Sequence, residues 1–121
     1  MHKTTRMEEK FNIDFLDDAI EFMNSLELKV RRKIYYNLKK SQFINDPELF
    51  KKLNENIWEF RTLFEKKHYR LLAFWDKTDN KETFVLATHG IIKKTKKTPK
   101  NEIKKAEEIR KIYFELKKQE K

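Results

Sequence analysis

The sequence predicts an α+β fold in which two N-terminal helices pack on a small antiparallel sheet and a C-terminal helix follows. Three observations predict it. Apolar residues recur at helical spacing in two stretches before residue 41, aromatic and β-branched residues crowd three short segments between 57 and 89, and helical spacing returns after Thr98-Pro99. A length of 121 residues suits one domain, 1–121. With 38% hydrophobic and 13% aromatic residues, this is a folding composition despite 40% charge.

Residues 1–9 are polar and expected to be flexible, leading into a short strand near Lys10–Ile13. Asp14 can cap the first helix, with Asp17 and Asp18 in its first turn, where carboxylates complement the helix dipole. Leu16, Ala19, Ile20, Met23 and Leu26 form its apolar stripe. A second helix from Leu28 to Lys40 turns Val30, Ile34, Tyr35 and Leu38 inward and Arg31, Arg32, Lys33, Lys39 and Lys40 outward. Asp46-Pro47 then starts a turn or a one-turn helix.

Ile57–Glu65 and Tyr69–Asp76 contain no Gly or Pro and read as a hairpin, with its turn around Lys66-Lys67-His68. After the polar turn 76–80, Thr83–His89 is the third strand, ended by the single glycine, Gly90. Thr98-Pro99 starts the last helix, whose inner stripe is Ile103, Ala106, Ile109, Tyr113 and Leu116. The helices are expected to gather on one face of the sheet.

The net charge is +9, and it is concentrated: residues 93–121 carry 12 Lys and Arg against 5 Glu. Such asymmetry points to an anionic partner, with nucleic acid first and an acidic protein inhibitor second. The absence of cysteine excludes a disulfide framework, a thiolate nucleophile and a zinc ribbon. No apolar run reaches membrane-span length and no signal-peptide core opens the chain, so a soluble, cytoplasmic protein is expected. A lone glycine gives no phosphate-cradling loop, and the histidines lack metal-site spacing, so no metal or other cofactor is expected.

Alternation along the first long strand puts Trp58, Phe60 and Phe64 on one face and Glu59 and Arg61 on the other. On the next, Arg70 shares a face with Leu72 and Phe74, and neither face is cleanly polar, as in a central strand. Arg61 and Arg70 converge only if the hairpin register places them on the same side. With the lysines after the third strand they would form a cationic centre suited to a phosphodiester and to the extra charge of its transition state. Glu59 offers the structural alternative, a carboxylate able to pair with Arg61. His68 is expected in an exposed turn. His89, ahead of the lysines, is a candidate for proton transfer because histidine titrates near working pH.

Three motifs together, Ile57-Trp58-Glu59-Phe60-Arg61, His68-Tyr69-Arg70-Leu71-Leu72 and His89-Gly90-Ile91-Ile92-Lys93-Lys94-Thr95, followed by Thr98-Pro99 and a helix containing Ala106, resemble the HigB branch of the RelE-like toxins, also described as phage-derived host-killing-like proteins. In that family the usual patterns are Trp-Glu-Leu-Arg, Tyr-Arg-hydrophobic and His-Gly-Phe-x-Lys-Lys-Thr, so Phe60 and Ile91 are departures. The resemblance implies a RelE-like fold and a metal-independent, ribosome-dependent mRNA endonuclease, the toxin of a type II toxin–antitoxin system. By carry-over, Arg61, Arg70, Lys93 and Lys94 would act on the phosphate and its transition state. The general base stays open between His89 and a lysine of lowered pKa, and Lys96, Lys97 and Lys100 are expected to bind RNA. Implied partners are the ribosome, mRNA and a cognate antitoxin of helix-turn-helix type, with DNA reached only through the antitoxin complex. The alternative is a non-catalytic RNA- or ribosome-binding module on the same fold.

Overall fold

The computed structural model describes residues 8–119. Most of the expected flexible segment 1–9 lies outside the described residues; Glu9, which is described, pairs with Lys39. The elements are β1 (Asn12–Phe15), α1 (Asp17–Asn24), α2 (Leu28–Ser41), β2 (Phe50–Lys52), β3 (Trp58–Phe64), β4 (Lys67–Asp76), β5 (Phe84–Lys93) and α3 (Lys100–Gln119). The class is α+β, as the sequence predicts. The sheet has five strands in the order β1-β5-β4-β3-β2 and is mixed, because β1 runs parallel to β5 while the other neighbours are antiparallel.

The helices do not gather on one face. Helices α1 and α2 cover one side of the sheet through Met23, Val30, Ile34 and Leu38, packed on Phe60, Leu71, Ala73 and Val85. Helix α3 covers the other, where Ala106, Ile103, Tyr113 and Phe114 meet Ile57, Leu72, Phe74 and Leu86. Strand β4 therefore lies in the middle of three layers, which is why apolar residues occupy both of its faces.

Several local expectations shift. Asp14 lies in β1 and its carboxylate accepts the Phe15 amide, so it does not cap α1; Leu16 holds that position without a side-chain bond. Ile20, Tyr35 and Leu116 are exposed, and Phe114 takes the inward place on α3. Strand β2 forms after the turn at Asp46-Pro47 and has no counterpart among the expected strands. Gly90 lies within β5 rather than ending it. A Cβ there would sit 2.1 Å from the Phe22 ring, so glycine is needed for the close approach of α1 to the sheet. In β5 a bulge opposite Leu72 and Ala73 inserts Thr88 between partners, which brings His89 and Leu86 to the same face.

At the far end of β4, Asp76 is buried and ties α3 to the sheet. Its carboxylate receives Tyr113 Oη and Lys117 Nζ, each at 2.6 Å, and the Thr78 hydroxyl at 2.7 Å. Burial pushes the carboxyl pKa up, but the bonds from Lys117, Tyr113 and Thr78 outweigh it and hold the group well below the usual carboxylate range. Asp76→Asn should therefore cost about 3 kcal/mol at pH 7, by leaving Lys117 and Tyr113 without their anion. Because the folded pKa lies below the unfolded value of about 4, this stabilisation is full above that pH and is lost as pH falls toward the folded value. Denaturant titrations of parent and variant should thus converge below about pH 4; a deficit constant down to about pH 2.5 would contradict the assignment.

Candidate active site

A two-residue turn, Glu65-Lys66, closes the β3–β4 hairpin and sets Arg61 directly across from Arg70. The convergence that sequence leaves open is thus realised. Like charges directly opposite repel, and the structure supplies a counterion: Glu59 Oε2 lies 3.5 Å from Nε of Arg61 and 3.5 Å from Nε of Arg70. All three side chains are buried, at 2% (Glu59), 6% (Arg61) and 2% (Arg70) exposure. Neither Nε makes a directed hydrogen bond among the described residues, so Glu59 holds the pair mainly by charge.

The guanidiniums also bond to backbone carbonyls. Arg61 Nη1 donates to the Pro47 carbonyl at 3.2 Å, and Arg70 Nη2 to the Lys96 carbonyl at 3.2 Å. Burial lowers the Arg70 pKa while Glu59 raises it. The Thr98 hydroxyl donates to Glu59 Oε1. The loop 94–99 between β5 and α3 is therefore fastened to the ion triad at both Lys96 and Thr98.

Beside Arg61 opens a cleft of about 330 Å³ lined by Lys51, Glu59, Arg61, Lys96, Lys97 and Thr98. Four cations face one carboxylate, so the cleft favours an anion. Lys96 and Lys97 line it, while Lys94 and Lys100 are exposed outside its lining, and Lys93 Nζ folds onto the carbonyl of Lys97. Lys51 escapes a sequence reading because its strand does.

Neither His68 nor His89 has its expected setting. His68 lies in β4, not in a turn, and its Nδ1 is 3.4 Å from Arg70 Nη2. Burial, then the charges of Arg70, Arg61, Lys96 and Lys93, hold its pKa below the usual value, so the ring is neutral at pH 7. His89 is only 3% exposed, with Nδ1 2.9 Å from the Thr88 hydroxyl and Nε2 2.9 Å from Glu102 Oε1. Burial lowers its pKa against the raising effect of Glu102. Both ring nitrogens are thus engaged, Nδ1 within β5 and Nε2 by α3, and neither by an arginine.

A family model described as phage derived protein Gp49-like (DUF891) matches residues 21–111, a span containing every residue of the cleft. The chain belongs to this Gp49-like family. The family is part of the RelE/HigB-like toxin superfamily. A search of curated proteins finds no match. In this Gp49-like chain no helix of the described residues is long and apolar enough to cross a membrane.

The triad yields a stability prediction. Glu59→Gln leaves two buried guanidiniums facing each other and should cost about 3 kcal/mol in urea denaturation at pH 7. Adding Arg70→Gln should return part of that loss, because the uncompensated charge goes with it. Strict additivity of the two losses would show that Glu59 does not serve as the counterion.

Proposed function

We propose that this Gp49-like protein is the toxin of a type II toxin–antitoxin pair of the HigB kind, and that it cuts messenger RNA on the ribosome. The observation that carries the reading is the cross-strand pair Arg61 and Arg70, held by one carboxylate at the edge of a lysine-lined cleft. Cleavage of RNA without a metal needs attack of a 2′-hydroxyl on the adjacent phosphorus, departure of the 5′-oxygen and stabilisation of a dianionic phosphorane. Fixed guanidiniums suit the last task because they are planar, permanently charged and already oriented. An arriving phosphate competes with Glu59 and with the Lys96 carbonyl for Arg61 and Arg70, while Lys96 and Lys97 hold its neighbours in the strand. Lys93 and Lys94, carried over from the resemblance, act from the rim.

In this reading His68, rather than His89, is the base. It is neutral at pH 7, and an Arg70 turned toward phosphate frees Nδ1 to take the 2′-hydroxyl proton. The leaving 5′-oxygen takes its proton from a cleft lysine or water, and the product carries a cyclic phosphate. An antitoxin of helix-turn-helix type would neutralise the basic cleft and supply the DNA-binding half of the complex. A second reading, a non-catalytic RNA- or ribosome-binding module, is favoured by the burial of Arg70 beneath the Lys96 carbonyl.

Induction in growing cells with mapping of mRNA 5′ ends, with and without the neighbouring gene product, separates the two. New ends within translated messages, suppressed by the partner, support the toxin; ribosome association without new ends supports the module. Arg70→Ala should slow cleavage about 100-fold, equivalent to about 3 kcal/mol, while the folded variant still binds ribosomes. On purified ribosomes, cleavage should fall on the acid side as His68 protonates, below the ordinary histidine value of about 6.5. His68→Gln should abolish that limb and His89→Gln preserve it; the opposite pattern would return the base to His89.

A further inference from the structure

A second cleft lies on the other side of edge strand β2. Consecutive residues of a strand point to opposite faces, and here Lys51 lines the arginine cleft while Lys52 lines a separate cavity of about 410 Å³. Its other walls are Trp58, Trp75, Lys77 and Arg110, with Glu55 and Asn56 at the β2–β3 turn. Three cations thus stand around two indoles.

The tryptophans are only half spent on the core. Phe50 stacks on Trp58 with centroids 4.8 Å apart, Phe11 meets Trp75 edgewise at 5.1 Å, and the indoles meet each other edgewise at 5.6 Å. Both remain partly exposed. Lys77, itself exposed, holds its ammonium 5.0 Å from the Trp75 ring centroid, so that ring can be reached from solvent. The Trp75 indole N–H itself is buried, without a hydrogen-bond partner among the described residues, so it is the ring and not this N–H that the cleft exposes. A core tryptophan needs neither a cation above it nor a ring of cations around it.

We infer that this cleft binds one nucleotide of single-stranded RNA, its base stacked on Trp75 or Trp58 and its phosphate held by Lys52, Lys77 and Arg110. Aromatic rings interleaved with cations are the chemistry by which proteins hold unpaired bases without reading their sequence. Duplex nucleic acid cannot use the site, because its bases are already stacked. The base displaces the Lys77 ammonium from the indole, and the freed ammonium turns to the phosphate. Trp58 and Arg61 lie three residues apart on β3, about 10 Å along the strand and on opposite faces. A single strand rounding β2 would therefore reach both clefts. Nucleotide binding stands on the cleft's own lining; that the strand is message rests on the function proposed above.

The chain contains two tryptophans, and both line this cleft, so intrinsic fluorescence reads it directly. Full-length protein is titrated with single-stranded oligoadenylate of about six nucleotides, with ribose 5-phosphate as the probe lacking a base. Saturable quenching by the oligonucleotide, absent with the sugar phosphate, is expected, and Trp58→Phe should keep the signal of Trp75. Lys52→Ala with Lys77→Ala should weaken binding about tenfold and flatten its salt dependence, whereas Lys40→Ala on α2 should leave it unchanged. No saturable quenching, equal quenching by ribose 5-phosphate, or full affinity in the double variant would overturn the assignment. Quenching without mRNA cleavage in cells would remove only the toxin reading, and cleavage without quenching only this site.

Discussion

The pairing register of β3 with β4 is the constraint on which the rest depends. It is imposed by a turn whose two residues, Glu65 and Lys66, both adopt left-handed backbone, with φ of 49° and 68°. Two-residue hairpin turns of this hand match the twist of the strands they join. Glycine or asparagine usually occupies them, and other residues there cost about 1 kcal/mol each. The cost is offset by seven paired positions from Trp58–Ala73 to Phe64–Lys67. Slipping that pairing by one residue would exchange the faces of β4 relative to β3, sending aromatic residues toward α3 and Arg70 into the core. Core and cleft are thus specified by the same hydrogen-bond ladder.

Residue types were legible in the sequence where periodicity is strong. Val30, Ile34 and Leu38 on α2, and the aromatic face of β3, fall where their spacing puts them. Strand β2 was not legible, since Phe50-Lys51-Lys52 is too short to show alternation and forms only because β3 offers a free edge. The docking of β1 depends on a partner strand far along the chain, which no local pattern encodes. The two-sided packing was half visible in β4, whose mixed faces signal a central strand, yet which helix covers which face depends on loop geometry.

For the site, the arginines and lysines could be named but not arranged. Register decided that Arg61 meets Arg70, and the path of residues 94–99 decided that Lys96 and Lys97, rather than Lys93 and Lys94, line the cleft beside Arg61. His89 stands beside the lysines in sequence, but a bulge and Glu102 turn it inward, while His68, one residue before the expected start of its strand, joins the arginines. Alternation places Trp58 on the aromatic face of β3; its exposure to a cleft is visible only when Trp75, Lys77 and Arg110 arrive from other elements.

The parallel pairing of Asn12 with Phe84 and the packing of α1 against β5 have a consequence for synthesis of the chain. Strand β1 and helix α1 leave the ribosome with no surface to rest on until β5 has followed, and the loop that roofs Arg70 is made later still. Folding of this domain therefore waits for β5, since non-local contacts repay their loop-closure entropy only when both partners exist. A growing chain has the arginines before it has the cleft that organises them.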